Sequence, residues 1–195
     1  ALDSTDAKRI RQWVSDGNTL ITIAGGSQWA IRNKIVKERI VEGPKKDPKT
    51  AIIQKPFVQA EELLGKESLG GAIFKVDIDR THPLCFGYNQ SSLPVYKNNT
   101  VWLSPSENEY STIARYNAKP HIDGYVSATN LNDFMKQSAS IIVSQVGSGR
   151  AIMFADNPVF RGSWYGTDRI LTNAIFFGDI INVPSRNRFG ADDDK

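Results

Sequence analysis

Residues that bind metals or carry redox chemistry are scarce in this 195-residue chain, which has one cysteine, Cys85, and two histidines, His82 and His121. A lone cysteine excludes an internal disulfide and says little about compartment. With so few soft ligands, any zinc site would have to lean on carboxylates. Neither histidine is followed at i+3 or i+4 by Glu or His, so the helical zinc-protease signature is missing and no metal site is expected in the chain. Long apolar runs are missing too. None approaches the roughly 18 residues of a membrane span, and no secretory leader opens the chain. An excess of one charge is also lacking, since 24 Lys and Arg face 21 Asp and Glu for a net +3. That small, scattered balance gives no support to a nucleic-acid partner. The densest basic spots, Lys45-Lys46 and Lys34, Lys37 and Arg39, have no interleaved aromatics for base stacking and read as solvated surface.

What is present is ordinary for a globular protein, with 40% apolar and 23% charged residues. The length fits one domain with a sizeable core. We expect a single domain over 1–182 and a polar tail over 183–195, which ends in Ala-Asp-Asp-Asp-Lys. The clearest punctuation lies in 147–178. Gly147-Ser148-Gly149 supplies a hairpin turn, not a dinucleotide loop, because the third glycine is missing and a strand follows. Residues 150–155 are a short apolar run of buried-strand type, stopped by Asp156-Asn157-Pro158. Gly166-Thr167-Asp168 opens a helix whose Ile170, Leu171, Ala174 and Phe177 share one face, and Gly178 closes it.

The start of the chain repeats this grammar. Residues 3–16 predict a helix burying Ala7, Ile10, Trp13 and Val14, and 19–24 (TLITIA) a buried strand. After Gly25-Gly26-Ser27, a second helix is expected from Gln28 into the 34–39 region. A chain that opens on a helix suggests that the natural protein extends upstream of Ala1. Residues 42–56 read as a turn-rich surface insertion, 59–64 as a short helix, 72–78 as a strand, 94–103 as short strands, 130–136 as a helical turn and 138–146 as the strand entering the hairpin. Strands alternating with helices predict a three-layer α/β domain, its sheet mostly parallel and holding 19–24 and 150–155. Trp13, Ile23, Ile152, Phe154, Leu171 and Phe176 are its expected core.

Ser27 is the most tempting catalytic residue, because α/β enzymes place a nucleophile where a strand turns into a helix. Trp29 replaces the second glycine of Gly-x-Ser-x-Gly, however, and capping of the following helix is the plainer role. His82 could serve Ser27 as a base, or be a loop histidine bonded to backbone. Cys85, between Leu84 and Phe86, reads as an inert buried thiol. The loop 156–168 is the expected binding or docking surface, with Asp156, Arg161, Trp164, Tyr165 and Asp168. Arg and aromatic residues of this kind dominate interface hot spots.

Three stretches, GAIFKVDIDRTHPLCFGY (71–88), LSPSENEYSTIARY (103–116) and GSGRAIMFADNPVFRGSWYGTDRILTNAIFFG (147–178), together with RQWVSDGNTLITIAGGSQWA near the start, resemble the C-terminal region of bacterial zinc carboxypeptidases. These are the large secreted or periplasmic enzymes of the carboxypeptidase-A-like clan found in Bacteroidetes-type bacteria. The resemblance implies a flavodoxin-like, class I glutamine-amidotransferase-like accessory domain. It also implies a periplasmic or extracellular location and the parent's peptidase domain as partner. Zinc would belong only to that peptidase domain, where a His-x-x-Glu motif and a distant His hold it. The motif is absent here, so no cofactor and no peptidase catalytic residue carries over. The amidotransferase likeness would put a nucleophilic cysteine where Ser27 stands. Two functions follow as expectations: a non-catalytic interaction module, or an amidotransferase-like hydrolase using Ser27 and His82.

Overall fold

A computed structural model describes residues 2–44 and 54–184 of the chain. The basic pair Lys45-Lys46, the middle of the 42–56 insertion and nearly all of the polar tail lie outside the described residues. Helix α1 (Ser4–Ser15) starts where Asp3 accepts hydrogen bonds from the Thr5 and Asp6 amides while Asp6 reaches back to the Asp3 amide. This reciprocal cap satisfies donors that the first turn otherwise leaves open. Strand β1 (Thr19–Ile23) leads into α2 (Gly25–Arg32), and α3 (Ala60–Glu67) follows. Next come β2 (Ala72–Ile78), β3 (Ser92–Lys97), β4 (Thr112–Gly124), β5 (Ala139–Val146), β6 (Gly149–Phe154) and α4 (Asp168–Phe177).

The six strands form one strongly curled sheet in the order β1-β6-β5-β4-β2-β3. Of its five pairings only β1–β6 is parallel, with Ile21 beside Ile152; the other four are antiparallel. The expected three-layer, mostly parallel sheet of flavodoxin-like or class I amidotransferase-like type is therefore wrong. The reason is local. A two-residue connection, Gly147-Ser148, can join β5 to β6 only as an antiparallel hairpin, because a parallel return needs a crossover of a dozen or more residues. The rest of the correction lies in β4. This 13-residue strand sits between β5 and β2, and no strand is expected there from the sequence. Its pairings shift register on both sides, and Pro120 and the exposed charges of its second half break the alternation that marks a strand.

Both faces of the sheet are covered at its β5–β6 end. Ile141, Val143, Ile152 and Phe154 point into one core, with Ile170 and Ala174 of α4. Ile142, Ala151 and Met153 point into the other, with Val14 of α1 and Ala30 of α2. Period-two alternation between two buried faces explains why these strands read as unbroken apolar runs. Of the expected core, Ile152 and Phe154 are buried and Ile23 and Leu171 half-buried, but Trp13 is 47% and Phe176 73% exposed. The two glycines of the hairpin act differently. Gly147 has φ +60°, which only glycine adopts without strain, whereas a Cβ on Gly149 would lie 1.9 Å from the Val14 carbonyl oxygen. Close approach of α1, not backbone conformation, demands the second glycine.

Candidate functional site at the carboxyl edge of the parallel pair

Because β1 and β6 run parallel, their carboxyl ends lie at one edge, the place where open α/β sheets bind ligands. At the end of β1 the chain turns sharply into α2 through Ala24, which has φ 49° and ψ −115°. Such values are strained for any residue with a Cβ. The turn is held by the Ala24 N–H donating to the Phe154 carbonyl at 2.8 Å and by the Ser27 N–H donating to the Ala24 carbonyl at 2.9 Å. A strained strand-to-helix elbow is the device by which some hydrolases expose a nucleophile. Here its apex is an alanine.

Ser27 is inside the helix, three residues into α2, which begins earlier than expected and ends at Arg32. It is fully buried, and its hydroxyl donates to the Phe154 carbonyl at 2.9 Å and lies 3.0 Å from Thr22 Oγ1. The capping role is thus corrected: α2 has no side-chain cap, and Ser27 ties it to β6. His82 sits just before a short 3-10 turn, where its Nδ1 accepts the Leu84 N–H at 3.2 Å. Burial pushes its pKa down to about 4, and the Asp79 carboxylate only partly opposes this. Cys85 is buried, and burial, with Asp79 in the same direction, pushes its thiol up to about 12. The Ser27 hydroxyl and His82 Nδ1 are each bonded to backbone, and no hydrogen bond joins the two residues.

Past the end of β6 lies the most elaborate polar cluster of the described residues. Asp156 is 4% exposed, so it lies beneath the expected docking surface and is not part of it. One carboxylate oxygen accepts the Tyr116 hydroxyl at 2.5 Å and Lys97 Nζ at 3.2 Å, while the other accepts the Ser140 hydroxyl at 2.6 Å. Lys97 is completely buried. Its ammonium also donates to the Val101 carbonyl at 2.8 Å and the Ala155 carbonyl at 3.2 Å, and it lies 4.6 Å from the centre of the Trp102 ring. Burial holds the Lys97 pKa below its ordinary value against the pull of Asp156, and burial followed by Asp156 drives Tyr116 upward. The cluster joins the end of β3, β4, β5 and the turn after β6. Every polar atom in it has a partner, as a buried ion pair requires to be tolerated. Sequence reasoning missed Lys97, although a signal existed. Leu93, Val95 and Lys97 alternate along β3 and are all buried, so a lysine occupies a core position of a period-two strand.

The outer part of the loop is aromatic. Tyr96 stacks on Phe160 with ring centres 3.8 Å apart and meets Trp164 at 6.2 Å. Trp164 is half-buried, its indole N–H donating to the Pro94 carbonyl at 3.3 Å. Arg161 is exposed, lies over the Phe160 ring and, at φ 53°, is with Ala24 and Lys34 one of three non-glycine residues of positive φ among the described residues. Tyr165 is 77% exposed. Asp168 is half-buried, and its carboxylate accepts the amide of Arg169 in the first turn of α4. Among the described residues no group of three His, Cys, Asp or Glu side chains is placed to hold a metal ion. No described helix is long and apolar enough to cross a membrane.

No protein-family model and no curated protein matches the chain. Among solved structures it is similar to a beta-galactosidase from Bacillus circulans sp. alkalophilus, with 10% identity over 89% of this chain and 20% of that one and a TM-score of 0.45. It is also similar to a putative GMP synthase component from Thermoplasma acidophilum, with 13% identity over 88% of this chain and 63% of that one and a TM-score of 0.48. A cold-adapted beta-galactosidase from Rahnella sp. R3 shows 14% identity and a TM-score of 0.34. The chain thus spans a fifth of the first galactosidase and less than two thirds of the synthase component. Likenesses this weak carry neither fold nor activity over to it.

Proposed function

We propose that this chain is a non-catalytic interaction module, of the kind that follows the peptidase domain in the bacterial zinc carboxypeptidases its sequence resembles. The carrying observation is the elbow after β1. The backbone adopts the strained turn on which hydrolases mount a nucleophile, and the residue mounted there, Ala24, has no group that can react. The hydrolase reading that uses Ser27 and His82 finds less support, since the Ser27 hydroxyl is directed into the protein interior and not toward solvent.

On this reading the partner is the parent's peptidase domain, which would hold the zinc, in the periplasm or outside the cell. Docking would use the exposed residues of the 156–168 loop, Arg161 and Tyr165, supported by the half-buried Trp164. The test is calorimetric titration of the chain with a separately produced peptidase domain from a zinc carboxypeptidase whose C-terminal region matches 71–178. Binding is expected, and Tyr165→Ala and Arg161→Ala are expected to weaken it at least tenfold while the melting temperature stays unchanged. Surface substitutions that leave packing alone move stability by only about 0.5 kcal/mol or less. Hydrolysis of glutamine or of peptides by the chain alone, abolished by Ser27→Ala, would refute the module reading.

A further inference from the structure

Aspartate followed by glycine is a reactive pair, because the missing Cβ leaves the glycine nitrogen open to the aspartate carboxyl carbon and a succinimide ring can close. The chain has two such pairs, Asp16-Gly17 and Asp123-Gly124. The fold treats them oppositely. At the end of α1 the Gly17 N–H donates to the Val14 carbonyl at 3.0 Å, and the Asp16 carboxylate accepts the Gln12 side-chain amide at 2.8 Å. Nucleophile and electrophile are each engaged with the helix and not with each other.

At the end of β4 the Gly124 N–H donates to the carboxylate of Asp123 itself, at 2.8 Å. The nitrogen and the carboxyl group are held in contact, the arrangement from which an intramolecular reaction gains most. Gly124 has φ +86°, and a Cβ there would lie 2.8 Å from the Ala72 Cα, so the position keeps its glycine. His121 Nε2, 2.6 Å from the Gly124 carbonyl, fixes the same residue. The strand is irregular here. Ile73 is opposite Asp123 and Phe74 opposite His121, so Ile122 bulges out of the ladder. Residues 121–125 are all exposed, and water reaches the pair.

We propose that Asp123 is a site of spontaneous isomerisation to isoaspartate. The Gly124 nitrogen attacks the Asp123 side-chain carboxyl carbon. A C–N bond forms, and one carboxyl oxygen leaves as water, taking the amide proton and one proton from solvent. Water then opens the ring. Attack at the side-chain carbonyl restores aspartate. Attack at the main-chain carbonyl of Asp123 breaks its bond to the Gly124 nitrogen and leaves isoaspartate, with the main chain rerouted through the side-chain carbon. One water leaves and one enters, so the change is an isomerisation that needs no oxidant, reductant or enzyme. The product adds a methylene to the main chain at a groove of about 370 Å³ that Asp123 and Gly124 line with Tyr96, Phe160 and Trp164. One wall of that groove is thereby altered.

The test is to age the folded chain for weeks in neutral buffer at physiological temperature. Isoaspartate is counted by enzymatic methyl transfer from labelled S-adenosylmethionine and located by peptide mapping. In the folded chain it should accumulate at residue 123 roughly tenfold or more faster than at residue 16. In urea, where the fold no longer separates the two pairs, the two rates should become comparable. Asp123→Glu, whose ring would be larger and slower to close, should remove most of the methyl acceptance of the folded chain, and Asp16→Glu should leave it unchanged. If either variant misfolds, the ratio of the two sites within the wild-type chain still decides. Equal accumulation at 16 and 123 in the folded chain would overturn the proposal. So would a folded chain still free of isoaspartate at 123 when the urea-unfolded chain has acquired it.

Discussion

Replacing Lys97 by methionine removes one side of the buried ion pair while keeping most of the volume of the stem. In the wild-type protein the ammonium serves the carbonyls of Val101 and Ala155 and the Asp156 carboxylate, with both partners of the pair buried. The variant leaves two buried carbonyls without that donor. Asp156 keeps the Tyr116 and Ser140 hydroxyls but loses its counter-charge. Breaking a buried pair from one side costs about 3–5 kcal/mol. With roughly 2–4 °C lost per kcal/mol in a domain of this size, the melting temperature should fall by roughly 6–20 °C. Urea unfolding followed by tryptophan fluorescence measures the loss, and Trp102, against which Lys97 lies, reports locally. The decisive comparison is the double variant Lys97→Met with Asp156→Asn, which removes the charge while its amide oxygen can still accept from the buried Tyr116 and Ser140 hydroxyls. Removing both charges spares the protein an unpaired buried carboxylate, so the double variant should be more stable than Lys97→Met alone. A loss below about 1 kcal/mol for Lys97→Met, or strictly additive losses in the double variant, would refute the assignment of an uncompensated-charge penalty to this site.

His82 predicts an acid-side dependence. Its folded pKa, about 4, lies below the unfolded 6.5, so the unfolded state binds more protons across that window. Stability should therefore fall as pH drops from 6.5 to 4, by about 1–3 kcal/mol after allowance for partial exposure. His82→Asn, which keeps a side-chain acceptor for the Leu84 N–H, should flatten the slope in urea titrations run between those pH values; an unchanged slope would clear His82 of the effect. Gly149→Ala should be among the most damaging single changes, since its Cβ would overlap the carbonyl oxygens of Val14 and Asn18 at 1.9 and 2.3 Å. A loss above about 3 kcal/mol is expected, read from the thermal melt, and a near-neutral effect would mean that α1 sits farther from the hairpin.

Local features were legible where neighbouring residues in the chain decide them. Residues 72–78 alternate, and the strand appears there with the same bounds. Pro158 and the glycines of 147–149 punctuate β6, and the 3.6-residue spacing of Ile170, Ala174 and Phe177 marks α4. Even the antiparallel β5–β6 pair follows from a turn too short for any other return. What the chain order cannot encode is which strands end up adjacent. β4 pairs β5 with β2 across long separations, and its bulges and exposed second half erase the local pattern. The chemistry divides in the same way. That Ser27 and His82 are candidates is a statement about residue types, but the direction of the Ser27 hydroxyl depends on β6, 127 residues away in sequence. The apex of the elbow is set by the backbone at Ala24, not by the nearest polar side chain. Lys97 and Asp156 meet only because the folded sheet carries them together from positions 59 residues apart. Local sequence governs turns, caps and periodicity through short-range sterics and hydrogen bonds, whereas pairing and charge burial depend on contacts formed only when distant segments pack.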